Sequence, residues 1–346
     1  MLSFIRWVML FMVVFVTLIG GALFFGRDLV EAEGPLKEPK HIVIPRGAGP
    51  AIMAKVLRDE GVISYQQLFR IALMIDPSPK VIKAGEYEIP AHISMPALVD
   101  LLQSGKVVQR RITIPEGMTT AEIVELVRKT EALSGQITLD LKEGDLLPET
   151  YFYSRDDARD GLLSRMKEGM EKTLDEAWRK RAAGLPLANR RDMLVLASII
   201  EKETSLSAER TRVSAVYINR LRMKMKLESD PTTIYGLTNG KTALGRDLTR
   251  ADLQSTTPYN TYVVTGLPPG PICNPGRASI LAAVSPTRER SIYFVADGQG
   301  GHAFATTLAE HNRNVARWRE IQRQRQEGQS TPPAPAPSPS PAPARP

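Results

Sequence analysis

Leu194-Val195-Leu196-Ala197-Ser198-Ile199-Ile200-Glu201-Lys202-Glu203-Thr204 is an almost wholly apolar stretch whose far end carries two carboxylates. It reads as a core helix. Glu201 falls on one helical line with Leu194, Ala197 and Ser198, by the i, i+3, i+4, i+7 rule. Glu203 is rotated from it by roughly 200° and points nearly the opposite way, so at most one of the two projects into a given cleft. A carboxylate with this much apolar surface around it, near the negative end of a helix dipole, is expected to hold its proton unusually well. That is the profile of a general acid working near neutral pH. The competing reading is a solvated Glu-Lys-Glu end to an ordinary core helix.

The 346 residues leave room for two or three domains, and 42% hydrophobic with 24% charged residues is ordinary for a globular chain. A formal charge of +7 suits an anionic surface, such as membrane headgroups or acidic cell-wall polymers. No zinc finger, RNP-like motif or dense basic run accompanies it, so nucleic acid is not an expected partner. One cysteine, Cys273, excludes an intrachain disulfide. Four scattered histidines predict no metal site, and no cofactor fingerprint, P-loop or nucleophile elbow is present.

Trp7 to Phe25 is free of charge and bracketed by Arg6 and Arg27. At 1.5 Å per residue it reaches roughly 28 Å, which predicts an uncleaved transmembrane helix over residues 7–26. The expected orientation is a short cytoplasmic tail at 1–6, with a stalk at 27–40 and all that follows outside the cytoplasm.

His41-Ile-Val-Ile reads as a strand followed by two helices, then Glu86-Tyr-Glu-Ile as a second strand and 94–103 as a helix. Ile44-Pro-Arg-Gly and its helix recur as Ile114-Pro-Glu-Gly and the helix from Thr119 to Lys129, an internal echo of one strand–turn–helix unit. Further helices are predicted over 161–184, over the stretch carrying Glu201 with Asp192 as its cap, and over 208–223. In the last, Arg210, Arg212, Arg220, Arg222 and Lys224 form a basic face that reads as solvated surface. Residues 227–290 read as loop-rich, Asp297-Gly-Gln-Gly-Gly as a hairpin turn, and a final helix begins near Leu308. The Pro/Ala/Ser-rich tail at 327–346 cannot build a core and is expected to be disordered.

Asp230 opens a Pro-Thr-Thr segment where its carboxylate can face a cleft or simply close an Asx-turn. Tyr259-Asn260-Thr261-Tyr262 mixes aromatic faces with hydrogen-bonding groups, as sugar-binding loops and ordinary surface loops both do. His302 and His311 are candidate substrate contacts or structural histidines.

Leu196-Ala-Ser-Ile-Ile-Glu-Lys-Glu-Thr, Asp230-Pro-Thr, Tyr259-Asn-Thr-Tyr, Gly266-Leu-Pro-Pro-Gly-Pro-Ile, Asn274-Pro-Gly and Tyr293-Phe-Val-Ala-Asp-Gly with His302 and His311-Asn312 occur in one order over about 120 residues. Together they resemble the endolytic murein transglycosylase (MltG, YceG-like) family over roughly residues 40–320. The resemblance implies an α+β chain with an N-terminal transmembrane helix, a LysM-like module at 41–108 and a larger mixed α/β catalytic domain at 109–326. It implies a single-pass inner-membrane enzyme with a periplasmic catalytic domain. Such an enzyme cleaves the β-1,4 bond between N-acetylmuramic acid and N-acetylglucosamine without water, leaving 1,6-anhydromuramic ends. It places the catalytic acid, then base, at Glu201, and substrate contacts at Asp230, Thr232, Tyr259, Asn260, Tyr262, Asn274 and His302. Peptidoglycan strands, the inner membrane and glycan-polymerising synthases (penicillin-binding proteins) are the implied partners. The alternatives are a hydrolytic muramidase and an anchored peptidoglycan-binding scaffold without catalysis. The Pro-rich tail has no counterpart in the family pattern.

Overall fold

The computed structural model describes residues 6–17, 31–75 and 80–330. Residues 6–17 are helical (α1). The expectation of a transmembrane helix over 7–26, and of a fold class that includes one, is corrected here. Among the described residues no helix is long and apolar enough to cross a membrane. The described length of α1 reaches only about 18 Å, against roughly 30 Å of hydrocarbon. Residues 18–26 of the expected span, residues 27–30 of the stalk and residues 331–346 of the Pro-rich tail lie outside the described residues.

The chain divides into two compact units. The first holds residues up to Ile112 together with 130–136 and 151–162. Its strands β1 (Lys40–Ile44) and β2 (Gly85–Ile89) pair antiparallel, with Ile42 opposite Tyr87. The helices α2 (Pro50–Asp59) and α3 (Gln66–Ile75) lie between them in sequence, and α4 (Met95–Gln103) follows. Ile42, Ile44, Leu57, Phe69, Tyr87, Ile89, Leu98 and Leu102 close one core. Tyr87 is buried whole because its hydroxyl donates to the carbonyls of Lys83 and Leu102. Glu86 is the buried charge of this unit. It accepts hydrogen bonds from Arg110 at 2.5 Å and Arg155 at 3.4 Å, and meets His41 at 3.1 Å. Those partners hold its carboxyl down at about 2, Arg110 contributing most.

The predicted echo is present: β3 (Gln109–Thr113) leads through a turn to α5 (Thr120–Lys129), as β1 leads to α2. Strand β3 pairs with β5 (Thr150–Ser154), and the short β4 (Leu133–Ser134) runs parallel to β6 (Asp157–Ala158).

The second unit holds 113–129, 137–150 and everything from Leu163 onward. After α6 (Arg159–Arg179), its centre is α7 (Arg190–Glu203), packed against α8 (Arg210–Arg222), α9 (Asp230–Thr238) and α10 (Arg277–Val284). Met193 through Ile200 are all buried, as an apolar run around the whole helix requires. Each large apolar side chain withdrawn from water here contributes about 1.5–3 kcal/mol. The cap of α7 is Asn189, whose side chain accepts from the Asp192 N–H, while Asp192 reaches back to the Ala188 N–H. Asp192 is thus the reciprocal partner of the cap rather than the cap itself.

Two further expectations change. Residues 230–238 form α9, with Pro231 in its first turn, where a missing N–H costs nothing. The basic face of α8 is not uniformly solvated. Arg220 is buried and donates to the carbonyls of Ile292, Lys226 and Leu227 and to Glu228. The predicted hairpin is present as β7 (Tyr293–Ala296) with β8 (His302–Ala305), and α11 (Leu308–Ser330) packs on it.

Candidate active site

The two carboxylates of α7 diverge as their spacing requires, and each meets a different environment within the second unit. Glu201 has a side chain only 6% exposed and faces an ion pair rather than apolar surface alone. Its Oε1 lies 3.5 Å from the Arg210 guanidinium, and its Oε2 accepts the Gly276 N–H at 2.8 Å. The same guanidinium donates to Glu116 at 3.3 Å. A Cβ at Gly276 would sit 1.8 Å from Glu116 Oε1, so a side chain there would displace the Glu116 carboxyl. Burial first, and the neighbouring Glu201 second, push the Glu116 carboxyl up, against the pull of Arg210. Glu201 therefore ties the end of α7 to the Asn274-Pro-Gly loop and the turn at Glu116.

Glu203 lines a cavity of about 240 Å³ with Tyr217, Arg220, Leu227, Glu228, Asp230, Tyr262, Phe294 and His311. Its Oε1 accepts two hydroxyl protons, from Tyr217 at 2.7 Å and from Ser229 at 2.5 Å. Ser229 stands at the N-cap of α9, yet its hydroxyl is turned to Glu203 and not to the helix's own N–H groups. Oε2 has no hydrogen-bond partner among the described residues. Glu203 keeps its remaining exposure through the cavity, while the protein packed around the carboxyl pushes its pKa above the usual carboxylate range. The two hydroxyls work against that shift, and the nearby Asp230 charge adds to it.

Of the residues expected to bind substrate, Asp230 and Tyr262 reach this cavity. Tyr262 donates its hydroxyl proton to Asp230 Oδ1 at 2.6 Å, and burial followed by that carboxylate holds the phenol well above its ordinary pKa. His302 is not in the cavity lining; it stands edge-on to Phe294, which is, at 5.3 Å, with Nδ1 2.7 Å from Glu209.

The others are placed elsewhere. Asn260 is fully buried, donating to the carbonyls of Asp252, Leu253 and Ser255 and accepting from the Tyr262 N–H and the Thr233 hydroxyl. Asn274 is equally buried. It accepts from the Leu146 N–H and donates to Met118 O, Thr120 Oγ1 and Glu143. Thr232 donates to Ser229 O inside the first turn of α9. Tyr259 packs on Tyr235, ring centres 4.8 Å apart, away from the cavity lining. Sequence reasoning did not single out Tyr217 or Ser229. Tyr217 lies in an amphipathic helix, and a serine before an aspartate reads as a cap.

This arrangement can keep a carboxylic acid protonated beside a second, hydrogen-bonded carboxylate. The relatives of the chain are consistent with glycan chemistry. It is 29% identical over 335 residues to a Bacillus subtilis (strain 168) protein named endolytic murein transglycosylase, covering 86% of this chain and 89% of that one. A Streptococcus pneumoniae (strain D39) protein of the same name is 26% identical over 88% of this chain, which spans 63% of that protein's length. A solved yceG-like protein of Listeria monocytogenes, lmo1499, is 28% identical with a TM-score of 0.47, covering 80% of this chain and 99% of that one. The profile of the YceG-like family matches residues 42–317, and the chain belongs to that family.

Proposed function

We propose that the chain is an endolytic murein transglycosylase that cuts glycan strands of peptidoglycan within their length, with Glu203 as the acid and then the base. The names of the Bacillus and pneumococcal relatives support the substrate class. The observation that carries the residue assignment is the carboxyl of Glu203, which lines a cavity, accepts two hydroxyl protons at Oε1, and is raised in pKa. Resemblance alone favours Glu201. Its oxygens, however, are engaged by Arg210 and the Gly276 N–H, and it does not line the cavity that Glu203 lines.

In this reading the Oε2 proton passes to the glycosidic oxygen as the bond from that oxygen to C1 of N-acetylmuramic acid breaks. The muramic 2-acetamido oxygen and the Asp230 carboxylate stabilise the positive charge growing at C1. Tyr217 and Ser229 stabilise the carboxylate left on Glu203. That carboxylate then takes the C6 hydroxyl proton while O6 closes on C1, which restores the acid and consumes no water.

Asp230 in the same cavity favours one second reading, a muramidase in which a water is activated in place of O6. A digest of purified peptidoglycan, read by mass spectrometry, separates the two, because the transglycosylase product is lighter by one water. Glu203→Gln should lower the rate by about 10²–10⁴-fold, while Glu201→Gln keeps the chemistry at reduced stability. Full activity in Glu203→Gln with loss in Glu201→Gln would return the role to Glu201.

A further inference from the structure

His311 lines the Glu203 cavity and takes no part in the chemistry above. It lies in the first turn of α11, its backbone N–H bonded to the Thr307 carbonyl. Its ring is stacked on Tyr293, centres 5.0 Å apart and planes within 19°, so the orientation of the imidazole is set by packing. Nδ1 is shielded from solvent and has no hydrogen-bond partner among the described residues. Burial and the nearby Arg220 hold the imidazole below its ordinary pKa, against the opposing charge of Glu228, so the ring is neutral at pH 7.

A neutral imidazole carries one N–H, and the shielded Nδ1 is the poorer place for it. Burying an N–H with no acceptor costs a donor its full desolvation, and orphaned N–H groups are rarer than under-satisfied acceptors. The proton therefore belongs on Nε2. The other hydroxyl donors of the cavity are already committed: Tyr217 and Ser229 to Glu203, Tyr262 to Asp230. What the wall otherwise presents is carboxyl oxygen from Glu203, Glu228 and Asp230, and the Arg220 guanidinium, a charged donor whose Nε and Nη1 already serve the Ile292, Lys226 and Leu227 carbonyls and Glu228. An uncharged sugar, whose acetamido carbonyl and hydroxyl oxygens accept hydrogen bonds, needs a neutral donor in such a place.

We propose that His311 is a substrate-positioning residue whose Nε2–H donates to an uncharged oxygen of the glycan, an acetamido carbonyl or a ring hydroxyl, in the Glu203 cavity. The assignment rests on the proposed function for its ligand class and on the tautomer for its chemistry.

The test uses the full chain and two substitutions. His311→Phe keeps an aromatic ring against Tyr293 and removes the donor. His311→Gln places an amide N–H near the position of Nε2. His311→Phe should raise KM for peptidoglycan strands about five- to tenfold, the loss of one neutral hydrogen bond, with a smaller change in kcat and an unchanged thermal midpoint. His311→Gln should recover most of that loss. A parallel binding series with chitotetraose on Glu203→Gln, with and without His311→Phe, reads the same contact without catalysis and should show a matching weakening. If wild type cuts strands and His311→Phe matches it in KM and in chitotetraose binding, the positioning role is wrong and the function stands. If the wild type cuts nothing yet binds chitotetraose in a His311-dependent way, the function falls and the contact stands. Equal losses in His311→Phe and His311→Gln, with a lowered midpoint, would make the histidine structural only and overturn the proposal.

Discussion

Tyr217 Oη lies 2.7 Å from Glu203 Oε1 and spends its only proton there. The two side chains come from different helices, α8 and α7, and they act on each other with opposite sign: Glu203 makes the phenol harder to ionise, and the phenol makes Glu203 easier to ionise. Burial, then the Glu203 charge, pushes the Tyr217 phenol up, while the phenol's hydrogen bond draws the Glu203 carboxyl part of the way back down. Removing the phenol with Tyr217→Phe therefore lets the Glu203 pKa rise further. The alkaline limb of the rate profile, where the acid loses its proton, should move to higher pH. Stability should fall by about 1 kcal/mol. An alkaline limb that stays put or moves down would separate the pair from the chemistry.

Stability should carry the signature of Glu203 as well. Its folded pKa is raised, so the native state binds this proton more tightly than the unfolded chain does. The stabilisation is complete below the unfolded value, about 4.3, and is lost as pH rises through the folded pKa. Compared with Glu203→Gln in urea unfolding of the second unit, the wild type should lose ground steadily as pH climbs from 4 to 8. A gap independent of pH would mean that Glu203 titrates in the folded protein as it does in the open chain.

Glu86 carries the opposite sign. Arg110, with help from His41 and Arg155, holds it at about 2, so its contribution is present above the unfolded value and disappears as pH falls toward 2. Glu86→Gln should cost the first unit about 1–3 kcal/mol at neutral pH. The difference should close in acid. Hydrogen exchange of the β1–β2 amides reads this unit separately from the other.

Asn274 separates a structural from a substrate role. Its amide joins Leu146, Met118, Thr120 and Glu143, and no atom of it is exposed. Asn274→Ala should destabilise the second unit by about 2–4 kcal/mol, several buried polar groups being left unpaired. At a temperature where the variant stays folded, KM should lie within about twofold of wild type, as a purely structural role requires. A large rise in KM without loss of stability would put this side chain back at the ligand.

Tyr262→Phe leaves Asp230 Oδ1 without its donor at 2.6 Å. Asp230 then carries its charge less comfortably beside Glu203. The expected result is a fall in kcat/KM of about tenfold, the value of one charge-assisted hydrogen bond, with little change in unfolding midpoint. No kinetic effect would place Asp230 outside the reaction.

Much of this was readable in the chain. The apolar run before Glu201 announced a helix buried on every side, and Met193 to Ile200 are buried without a break. The strand–turn–helix echo and the β7–β8 hairpin follow from turn residues at fixed offsets, a purely local signal. Hydropathy over residues 7–26 predicts a membrane span, whereas among the described residues no helix is long and apolar enough to cross a membrane. Locally, the Pro-Thr-Thr that follows Asp230 resembles a turn and predicts a loop. The same proline is well suited to the first turn of a helix, and packing on α7 decided for helix.

The sequence by itself determined that Glu201 and Glu203 must point apart, since two residues on an α-helix are separated by roughly 200°. It also determined family membership, through motifs spread along residues 42–317 that the YceG-like profile matches. Only the tertiary structure decided which carboxylate faces a cavity and which closes an ion pair. The partners of Glu203 come from 14 and 26 residues further along, and Arg210 and Gly276 reach Glu201 from two other elements. The amides of Asn260 and Asn274 offer the same donors and acceptors to a sugar as to a protein. Burial gives the Asn260 amide to the carbonyls of Asp252, Leu253 and Ser255 and the Asn274 amide to Met118, Thr120 and Glu143, and burial is a property of the assembled core rather than of any local stretch.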